Sequence, residues 1–451
     1  MSGWTGYVSR AHAACLATDD PAQVGGRWVP VESTLVLADV SGFTALSERL
    51  ARRGSAGAEE LTDIVNIVVN RLLAAVLPFD ADLLKYGGDA LLLLFSGQGH
   101  EERAAAATEA MRSTLDVLRR FRSESGRVDL RMSIGVESGV VDLFLVGTEH
   151  RELVVAGDVA SAVVRTQQAA PAGGILLGAS SAGSSARRAE LSVTKPSVTK
   201  PWTTEPRLLS EDVPVDPDLV RSGIPVALRS RIGRGRGGSE HGEHRQAAVA
   251  FLRIGGLDTL RQADGPDAVT RALHALVTVV QRACSVHGIT FLGSDVDESA
   301  VKLILVAGAP SSFGDDEDRL VAAVREALDR ALDEVCRTPA GPTVRAGLHR
   351  GRVFAVDVGD ERRRVYTVLG DSVNLAARMM AAPPDGGLLA TAELARRLRQ
   401  PYERTVVPSL AVKGKSDPVP AVLIGRAGGS MSDQPDTTVA TARGLAPLDG
   451  P

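Results

Sequence analysis

An internal repeat constrains the fold of this 451-residue chain more than any other feature of its sequence. Gly135 and Gly139 are four residues apart in one segment, as are Gly347 and Gly351 in another. The next glycine follows eight residues later in both segments, and a further glycine pair in each is sixteen residues apart. Self-similarity over such a length indicates one folding unit that occurs twice. We therefore predict two related domains.

Each copy has the same order of predicted strands and helices. A short apolar strand is followed by a helix with apolar residues at helical spacing, then a strand, a helix, the glycine-bearing strands and a last helix. In the first copy these elements are predicted at residues 34–40, 58–76, 90–95, 102–121 and 158–168. In the second they are predicted at residues 247–254, 266–286, 302–307, 316–336 and 371–380. This order favours an α+β fold, with helices packed on a mostly antiparallel sheet.

Changes in composition set the predicted domain boundaries. The first domain is predicted at residues 31–180 and the second at residues 246–427. Residues 181–245 are rich in Pro, Ser, Gly and Arg, which is typical of a linker. Residues 428–451 have no hydrophobic periodicity and are predicted to be a disordered tail.

The composition argues against several classes of protein. A net charge of -4 gives no electrostatic basis for binding nucleic acid. The three cysteines form no pattern typical of metal ligands or disulfides. The longest apolar run, around residues 90–95, is far too short to cross a bilayer. Because the N-terminus also lacks the pattern of a signal peptide, we expect the chain in the cytoplasm.

Two aspartates of the first copy have the surroundings of a metal site. Asp39 ends an apolar strand that is followed by a turn at Gly42, and Asp89 lies at the tip of a second turn, before a buried strand. Carboxylates at adjacent strand ends suit two Mg²⁺ or Mn²⁺ ions, and glycine turns offer backbone N–H groups to phosphate oxygens. Aspartate is also common in ordinary turns. Each aspartate on its own would fit that simpler role.

Longer motifs around these residues resemble the class III adenylyl and guanylyl cyclases. The segments ADVSGFT and KYGGDALLLLF are similar to the metal-binding motifs of that family, and VYTVLGDSVNLAARM is similar to its catalytic helix. Over about residues 31–425 the chain resembles the tandem cyclase region of the soluble, bicarbonate-responsive adenylyl cyclases and their bacterial relatives. The resemblance implies two ferredoxin-like α+β domains in a pseudo-twofold tandem pair, packed against each other within the chain.

The second copy differs from the first at the metal positions. It has Arg253 where the first copy has Asp39, and it has Ser299 or Ala300 where the first copy has Asp89. The second copy therefore lacks a pair of carboxylates for the cations. By the resemblance, both ions belong to the first domain.

The second copy carries the complementary catalytic residues. Asn374 and Arg378 are four residues apart and lie on one face of the predicted helix. The resemblance implies that Asn374 orients the ribose and that Arg378 stabilises charge on the reacting phosphate, a task that suits a guanidinium group. The first copy has Ser161 and Arg165 at these positions. We therefore expect one composite site between the domains, although an exposed helix face could also carry an Asn–Arg pair.

Further substrate contacts follow from the same resemblance. Gly42, Phe43 and Thr44 would hold phosphate oxygens. Lys413 and Lys415 lie where the family often places a lysine on the triphosphate, although a solvated turn explains them as well.

The base pocket is the least defined part of the predicted site. Thr367, followed by Val368, matches a threonine that reads adenine in such cyclases. No lysine occupies the expected partner position, where the sequence offers Glu298 or Ser299, and a glutamate near this point reads guanine in guanylyl cyclases. The other, degenerate pocket is expected to be regulatory. Lys85 and, one position from the subgroup's pattern, Arg165 would line it and bind bicarbonate or another small regulator.

The resemblance therefore implies an adenylate cyclase, which converts ATP to 3′,5′-cyclic AMP and pyrophosphate with two metal ions. Two alternatives remain at this point. One is a guanylate cyclase, and the other is a catalytically silent module that binds nucleotide.

Overall fold

A computed structural model of the chain describes residues 4–19, 25–42, 46, 49–50, 53, 55–87, 90–118, 122–123, 126–127, 130–178, 189–190, 216–233, 242–336, 341–359, 362–412, 417–428 and 431–432. Five residues of the predicted site lie outside the described residues, namely Phe43, Thr44, Asp89, Lys413 and Lys415.

The helices are α1 (Arg10–Ala17), α2 (Ser55–Val76), α3 (His100–Leu118), α4 (Asp158–Ala169), α5 (Pro217–Ser222), α6 (Val226–Gly233), α7 (Leu257–His287), α8 (Asp316–Glu334), α9 (Asp371–Ala381) and α10 (Ala392–Arg397). The strands of the first half are β1 (Arg27–Ser41), β2 (Asp82–Gly87), β3 (Ala90–Ser96), β4 (Arg122–Ser123), β5 (Gly126–Arg127), β6 (Arg131–Val146), β7 (Glu152–Ala156), β8 (Ile175–Leu177) and β9 (Ala189–Glu190). Those of the second half are β10 (Glu243–Gly255), β11 (Thr290–Asp297), β12 (Ala300–Ala307), β13 (Thr343–Gly359), β14 (Arg364–Leu369), β15 (Leu388–Thr391), β16 (Tyr402–Leu410), β17 (Val419–Ala427) and β18 (Met431–Ser432).

Two sheets with matching strand order confirm the predicted α+β repeat. The first sheet has the order β2-β3-β1-β6-β8-β9, with β7 also paired to β6. The second begins with the corresponding order, β11-β12-β10-β13-β15, and continues through β17, β16 and β18, with β14 paired to β13. Pairing is antiparallel except between β6 and β8, β13 and β15, and β16 and β18. The chain is thus a tandem pair of related α+β domains.

The repeated glycines allow a helix to lie directly on the sheet. A Cβ atom at Gly135 would collide with the backbone of α4 at Gln167, and one at Gly347 would collide with the backbone of α9 at Met380. The two helices therefore pack against β6 and β13 at backbone distance, which only glycine permits. This close packing fixes the position of the helix that carries Asn374 and Arg378.

Each domain contributes strands to the hydrophobic core of the other. Phe144 and Val146, at the end of β6, are buried in one cluster with residues of α7. Reciprocally, Phe354 and Val356 of β13 are buried in one cluster with residues of α2. The apolar surfaces of both domains are thus buried against each other, which stabilises their association.

Elements outside the two repeats connect the domains, and the sequence did not predict them. We call residues 4–19 together with residues 216–233 the bridge. Its α5 and α6 lie within the segment read as a linker, and its α1 precedes the first repeat. The apolar side chains that join its two parts belong to one buried cluster with strand β14: Val8, Val220, Ile224, Leu228, Ile232, Tyr366 and Val368.

Polar contacts attach the bridge to both domains. On the first domain, the carboxylate of Asp82 accepts hydrogen bonds from the backbone N–H groups of Arg10 and Ala11, at 3.0 and 2.7 Å. On the second domain, Arg231 pairs with the buried Asp357 at 2.7 Å, and the Tyr7 hydroxyl donates to the same carboxylate at 3.0 Å. The bridge therefore spans the junction between the domains.

Several predicted elements differ from the structure at their ends. Strand β1 begins at Arg27 rather than at residue 34, and α7 begins at Leu257 rather than at residue 266. Two helical segments meet in α7 at Gly265, which has a φ of 80°, immediately before Pro266. The sequence prediction began at this proline because proline favours the first turn of a helix. No helix among the described residues is both long and apolar enough to span a bilayer.

Candidate functional site between the two domains

The predicted metal position lies at the strand ends of the first sheet, near the end of its inner strand β1. Asp39 is half-buried near the end of β1 and is paired with Ala90 of β3 on one side and with Ser133 of β6 on the other. The residue predicted to supply the second carboxylate, Asp89, lies outside the described residues, so of the predicted pair the structure places Asp39 alone. Gly42, just beyond β1, has a φ of 104°, which favours glycine at this turn. A carboxylate such as that of Asp39 is an oxygen ligand that fits Mg²⁺ or Mn²⁺.

No cluster of three or more candidate ligands from His, Cys, Asp or Glu occurs among the described residues. Asp89 lies outside them, so this finding does not bear on the predicted pair.

Helix α9 presents a polar stripe. Asp371, Asn374 and Arg378 are half-buried, whereas most residues between them are buried against the sheet. Their spacing of three and four residues puts them on one face of the helix. Gly370 precedes the helix with a φ of 128°, a conformation that a residue with a side chain rarely adopts. The sequence prediction that Asn374 and Arg378 share a face therefore agrees with the helix bounds.

Helix α4, the counterpart of α9, contacts the other domain directly. The backbone N–H of Ser299, at the tip of the β11–β12 hairpin, donates to Ser161 Oγ at 3.0 Å. The Ser161 hydroxyl in turn donates to Asp258 at 3.0 Å. Arg165 and Glu298, both about half exposed, approach each other to 3.7 Å. The helix of one domain thus lies against the hairpin of the other.

The pocket between α4 and the β11–β12 hairpin has cationic side chains at the position that corresponds to Asp39. Arg253, at the position of Asp39, pairs with Asp297 at 2.8 Å and donates to the carbonyl oxygen of Glu298 at 2.9 Å. Lys302 reaches the same Asp297 at 3.4 Å. Burial alone would lower the pKa of Lys302, but the carboxylates of Asp295 and Asp297 raise it above its ordinary value. Two cationic side chains therefore lie where the first domain has a carboxylate.

A cavity of about 100 Å³ lies between the domains and is covered by the bridge. It is lined by both predicted regulatory and predicted substrate residues, since Lys85 and Thr367 both contribute to it. Tyr7, His12 and Leu228 of the bridge line it as well. Ligand pockets usually exceed about 300 Å³. A purine base would therefore enter only if the lining residues moved.

Lys85 takes part in a buried network at this cavity. Its ammonium group pairs with Glu152 at 2.7 Å and donates to the Ser294 hydroxyl at 3.0 Å. Ser294 belongs to the other domain and donates to Glu152 through both its hydroxyl and its backbone N–H. Burial alone would raise the pKa of Glu152, but Lys85 and His150 hold it well below its ordinary value. The network thus links the two domains through a charged carboxylate.

The structure separates several residues that the sequence grouped. Arg165 does not line the cavity that contains Lys85, because it lies half exposed beside Glu298. Glu298 is likewise absent from the lining of the cavity that contains Thr367. Val368 is 1% exposed and packs in the cluster of the bridge, so its side chain belongs to the core and only its backbone remains for the predicted substrate contact.

Asp295 of the second domain lines the cavity together with Thr367 and with Glu152 of the first domain, and sequence reasoning missed it. Comparison of the two copies of the internal repeat indicates the position of Asp295. Lys85 lies four residues before Asp89, and Asp295 lies four residues before Ser299, at the corresponding hairpin position. Strand pairing supports this match, because Gly87 and Asp297 each form the last pair of their hairpin.

Comparison with known proteins agrees with these features. A family profile described as "Adenylate and Guanylate cyclase catalytic domain" matches residues 31–195 and 239–425. The chain is 23% identical to adenylate cyclase type 10 of Mus musculus over 428 residues and 24% identical to that of Homo sapiens over 391 residues. These alignments cover 86% and 78% of the chain. The chain spans about a quarter of the length of these relatives, 26% and 24%.

A solved structure supports the tandem fold. The chain superposes on a class III adenylyl cyclase-like ATP-binding protein from Pseudomonas aeruginosa with a TM-score of 0.57 and 13% identity, over 86% of this chain and 92% of that one. The superposition extends across both domains, and the family profile covers each of them. The chain belongs to the family of adenylate and guanylate cyclase catalytic domains and carries two of them in tandem.

Proposed function

We propose that the chain is an adenylate cyclase that converts ATP to 3′,5′-cyclic AMP and pyrophosphate at one site between its domains. The observation that carries the proposal is the complementary asymmetry of the two copies. Asp39 stands near the end of β1 in the first domain, where the second domain has an arginine paired with Asp297. The polar stripe of Asn374 and Arg378 stands on α9, where the first domain has Ser161 and Arg165.

Pseudo-symmetry supports the idea that these two halves face each other. Helix α4 lies against the tip of the β11–β12 hairpin through the contact of Ser161 with Ser299. The counterparts of these elements are α9 and the β2–β3 hairpin. We therefore propose that Asn374 faces the tip that holds Asp89, so that the carboxylates and the Asn–Arg pair enclose one ligand.

The chain's own residues would then have distinct tasks. Asp39 and Asp89 would hold the cations, and the turn at Gly42 would offer backbone N–H groups to phosphate oxygens. When bound, two divalent cations ease deprotonation of the ribose 3′-hydroxyl and neutralise the leaving pyrophosphate. Asn374 would orient the ribose for in-line attack on the α-phosphorus, and the fixed charge of Arg378 would balance the charge that develops there.

Adenine is the proposed base because the relatives that cover most of the chain are adenylate cyclases and because Thr367 lines the cavity between the domains. We also propose a cytoplasmic location. A small anion such as bicarbonate would enter the same cavity only by competing with Glu152 for Lys85, since the two side chains are already paired at 2.7 Å.

One assay tests the proposed reaction. The purified chain is incubated with Mn²⁺ and either ATP or GTP, and the products are identified by mass. Formation of cyclic AMP that Asn374→Ala strongly reduces supports the proposal. Turnover of GTP alone would replace it with a guanylate cyclase, and nucleotide binding without any cyclic product would show a silent module.

A further inference from the structure

Arg363 of the second domain reaches across the junction to the backbone of the first. It directly precedes β14 and lines the cavity between the domains together with Lys85. Its Nε atom donates to the carbonyl oxygen of Leu83 at 2.9 Å, and a terminal nitrogen donates to that of Leu84 at 3.3 Å. Both acceptors belong to β2. A guanidinium group of one domain therefore holds a strand of the other.

Leu84, one of the two acceptors, lies at a bulge in β2. The pairing of β2 with β3 passes over this residue. A bulge leaves a residue outside the hydrogen-bonded ladder and bends the strand at that point. The hydrogen bond from Arg363 therefore fixes the strand where its own sheet holds it least. Strand β2 ends two residues before Asp89, the predicted cation ligand.

The same guanidinium group also holds the bridge. Its other terminal nitrogen donates to the carbonyl oxygen of Gly6 at 3.2 Å and to that of Arg364 at 3.0 Å. Burial lowers the pKa of Arg363 to about 10, partly offset by Asp82, so the group stays charged at neutral pH. Arginine suits this task, because its rigid plane of N–H donors can serve several carbonyl oxygens at once.

The first domain holds the second through a contact of opposite charge. Strand β11 also contains a bulge, because its pairing with β12 passes over Leu292. Beyond that bulge, the backbone N–H of Ser294 donates to the carboxylate of Glu152, at the start of β7, at 2.9 Å. A carboxylate thus holds the hairpin of the second domain, and Arg363 holds the hairpin of the domain that carries the predicted cation ligands.

We propose that Arg363 is a positioning residue for the composite site, because it keeps the β2–β3 hairpin and the bridge in register with β14. This inference rests on the proposed function and goes beyond it by naming a residue of the second domain that acts on the cation-binding half of the first. Arg363 acts through the backbone of β2. A displacement of the hairpin by about 1 Å would reduce the rate by about 100-fold.

Amide hydrogen exchange tests the contact without relying on turnover. Arg363→Ala removes the donors, so the amides of residues 82–87 should exchange faster by about 10- to 150-fold, the range expected for loss of a hydrogen bond to a charged group. The amides of residues 290–297, in the other bulged strand, should keep their rates. Methylguanidinium ion at millimolar concentration replaces the missing group and should slow the exchange of residues 82–87 again.

Steady-state kinetics with Mn²⁺ and ATP test the consequence for the reaction. Arg363→Ala should lower kcat by about 100-fold and change KM much less, since the residue orients the hairpin. Methylguanidinium ion should restore part of kcat, which a general loss of stability would not allow. Arg363→Lys keeps the charge but not the planar fork, so its exchange rates and its kcat should lie between those of Arg363→Ala and the unsubstituted chain.

Arg229→Ala is the matched control. Arg229 is also half-buried, has a pKa lowered by burial and donates to two carbonyl oxygens at 2.9 Å, but its acceptors are Ile224 of the bridge and Glu149 in the turn between β6 and β7. Its kcat and the exchange of residues 82–87 should equal those of the unsubstituted chain.

The outcomes separate this inference from the proposed function. Unchanged exchange of residues 82–87 in Arg363→Ala overturns the inference alone, as does faster exchange with an unchanged kcat. Absence of turnover in the unsubstituted chain overturns the proposed function, and with it a role of Arg363 in that reaction.

Discussion

At the scale of single residues, the two copies differ at the position proposed for cation binding. Asp39 and Arg253 occupy equivalent positions relative to β6 and β13, yet one is a carboxylate and the other is a guanidinium group paired with Asp297. The backbone frame differs on the hairpin side, because Asp39 faces Ala90 at the start of β3, whereas Arg253 faces Lys302, two residues beyond the start of β12. The two copies therefore differ there in both side chain and hairpin register.

Asp39→Asn should reduce turnover by at least about 100-fold, because it removes the negative charge that holds a cation while preserving the shape of the side chain. Initial rates with Mn²⁺ and ATP measure the effect, and the thermal melt checks that the fold is retained. Asp116→Asn, on the exposed surface of α3, is the control and should keep full activity. Near-normal activity of Asp39→Asn would remove this residue from the site.

The Lys85–Glu152 pair should matter for stability more than surface ion pairs do. Its side chains are 14% and 5% exposed, so Lys85→Met would leave a buried carboxylate without its cation. Such a loss costs about 3–5 kcal/mol in the free energy of unfolding, measured by urea denaturation. Arg319→Met, which breaks a half-exposed pair with Asp315, should cost about 0.5 kcal/mol or less. An equal loss of unfolding free energy in Lys85→Met and Arg319→Met would contradict the larger role of the buried pair.

Residues that stand in long motifs could be proposed for the site from the sequence, whereas a position that depends on strand register could not. Asp39, Asn374 and Arg378 each lie in a motif with its own glycine turn or helix, and their site roles stay predictions. The sequence pattern directs attention to Glu298 at the hairpin tip rather than to Asp295, which lines the cavity with Thr367. Its place in the cavity depends on which residues pair across β11 and β12, and that pairing is set by tertiary packing.

At the scale of elements, the bridge is the part of the fold that the sequence did not predict. The linker composition around residues 181–245 is rich in turn-forming residues, and α5 and α6 are short. Short helices have little stability of their own and form here because their apolar side chains pack with α1 and β14. The repeated elements could be predicted because the same hydrophobic and glycine pattern occurs in both copies of the sequence.

Acid should weaken the bridge through His12. Burial, only partly offset by Glu152, lowers the pKa of this residue from 6.5 to about 4. The unfolded chain therefore takes up a proton between pH 6.5 and pH 4 that the folded chain does not. Stability falls as the pH falls through this range, by about 3 kcal/mol from this group.

Urea unfolding at pH 7 and pH 5 measures the effect. His12→Gln should lose part of the pH dependence, and His287→Gln, on a half-exposed side chain paired with Glu326, should retain it. If the free energy of unfolding depended on pH identically in the unsubstituted chain and in His12→Gln, protonation of His12 would not be what destabilises the protein in acid.

At the scale of the whole molecule, the two domains share their cores. Phe144 of the first domain is buried against α7, and Phe354 of the second is buried against α2. The first domain on its own would expose the end of β6, which otherwise covers α7, and its own helix α2, which β13 otherwise covers. The second domain on its own would expose β13 and α7 in the same way. Independent stability is therefore not expected for either half.

Separate expression of residues 1–190 and 216–451 tests whether each half depends on the other for its hydrophobic core. Each half alone should lack a cooperative thermal transition, because its interface is apolar and exposed. The mixture should regain one transition and co-elute as a heterodimer in gel filtration. A chain cut between residues 190 and 216 after folding is the control and should stay assembled. Cooperative melting of each half at the same midpoint as the mixture would contradict a shared core.

The shared cores also restrict how the two halves of the gene can change over time. Positions such as Gly135 and Gly347 serve the packing of each half and have kept the same residue in both copies, whereas Asp39 and Arg253 have diverged. Under the proposed composite site, carboxylates are required from only one copy, so the second copy can carry an arginine at that position, whereas the glycines that seat α4 and α9 are required in both. Because each half buries strands of the other, the loss of either half would expose the apolar core of its partner.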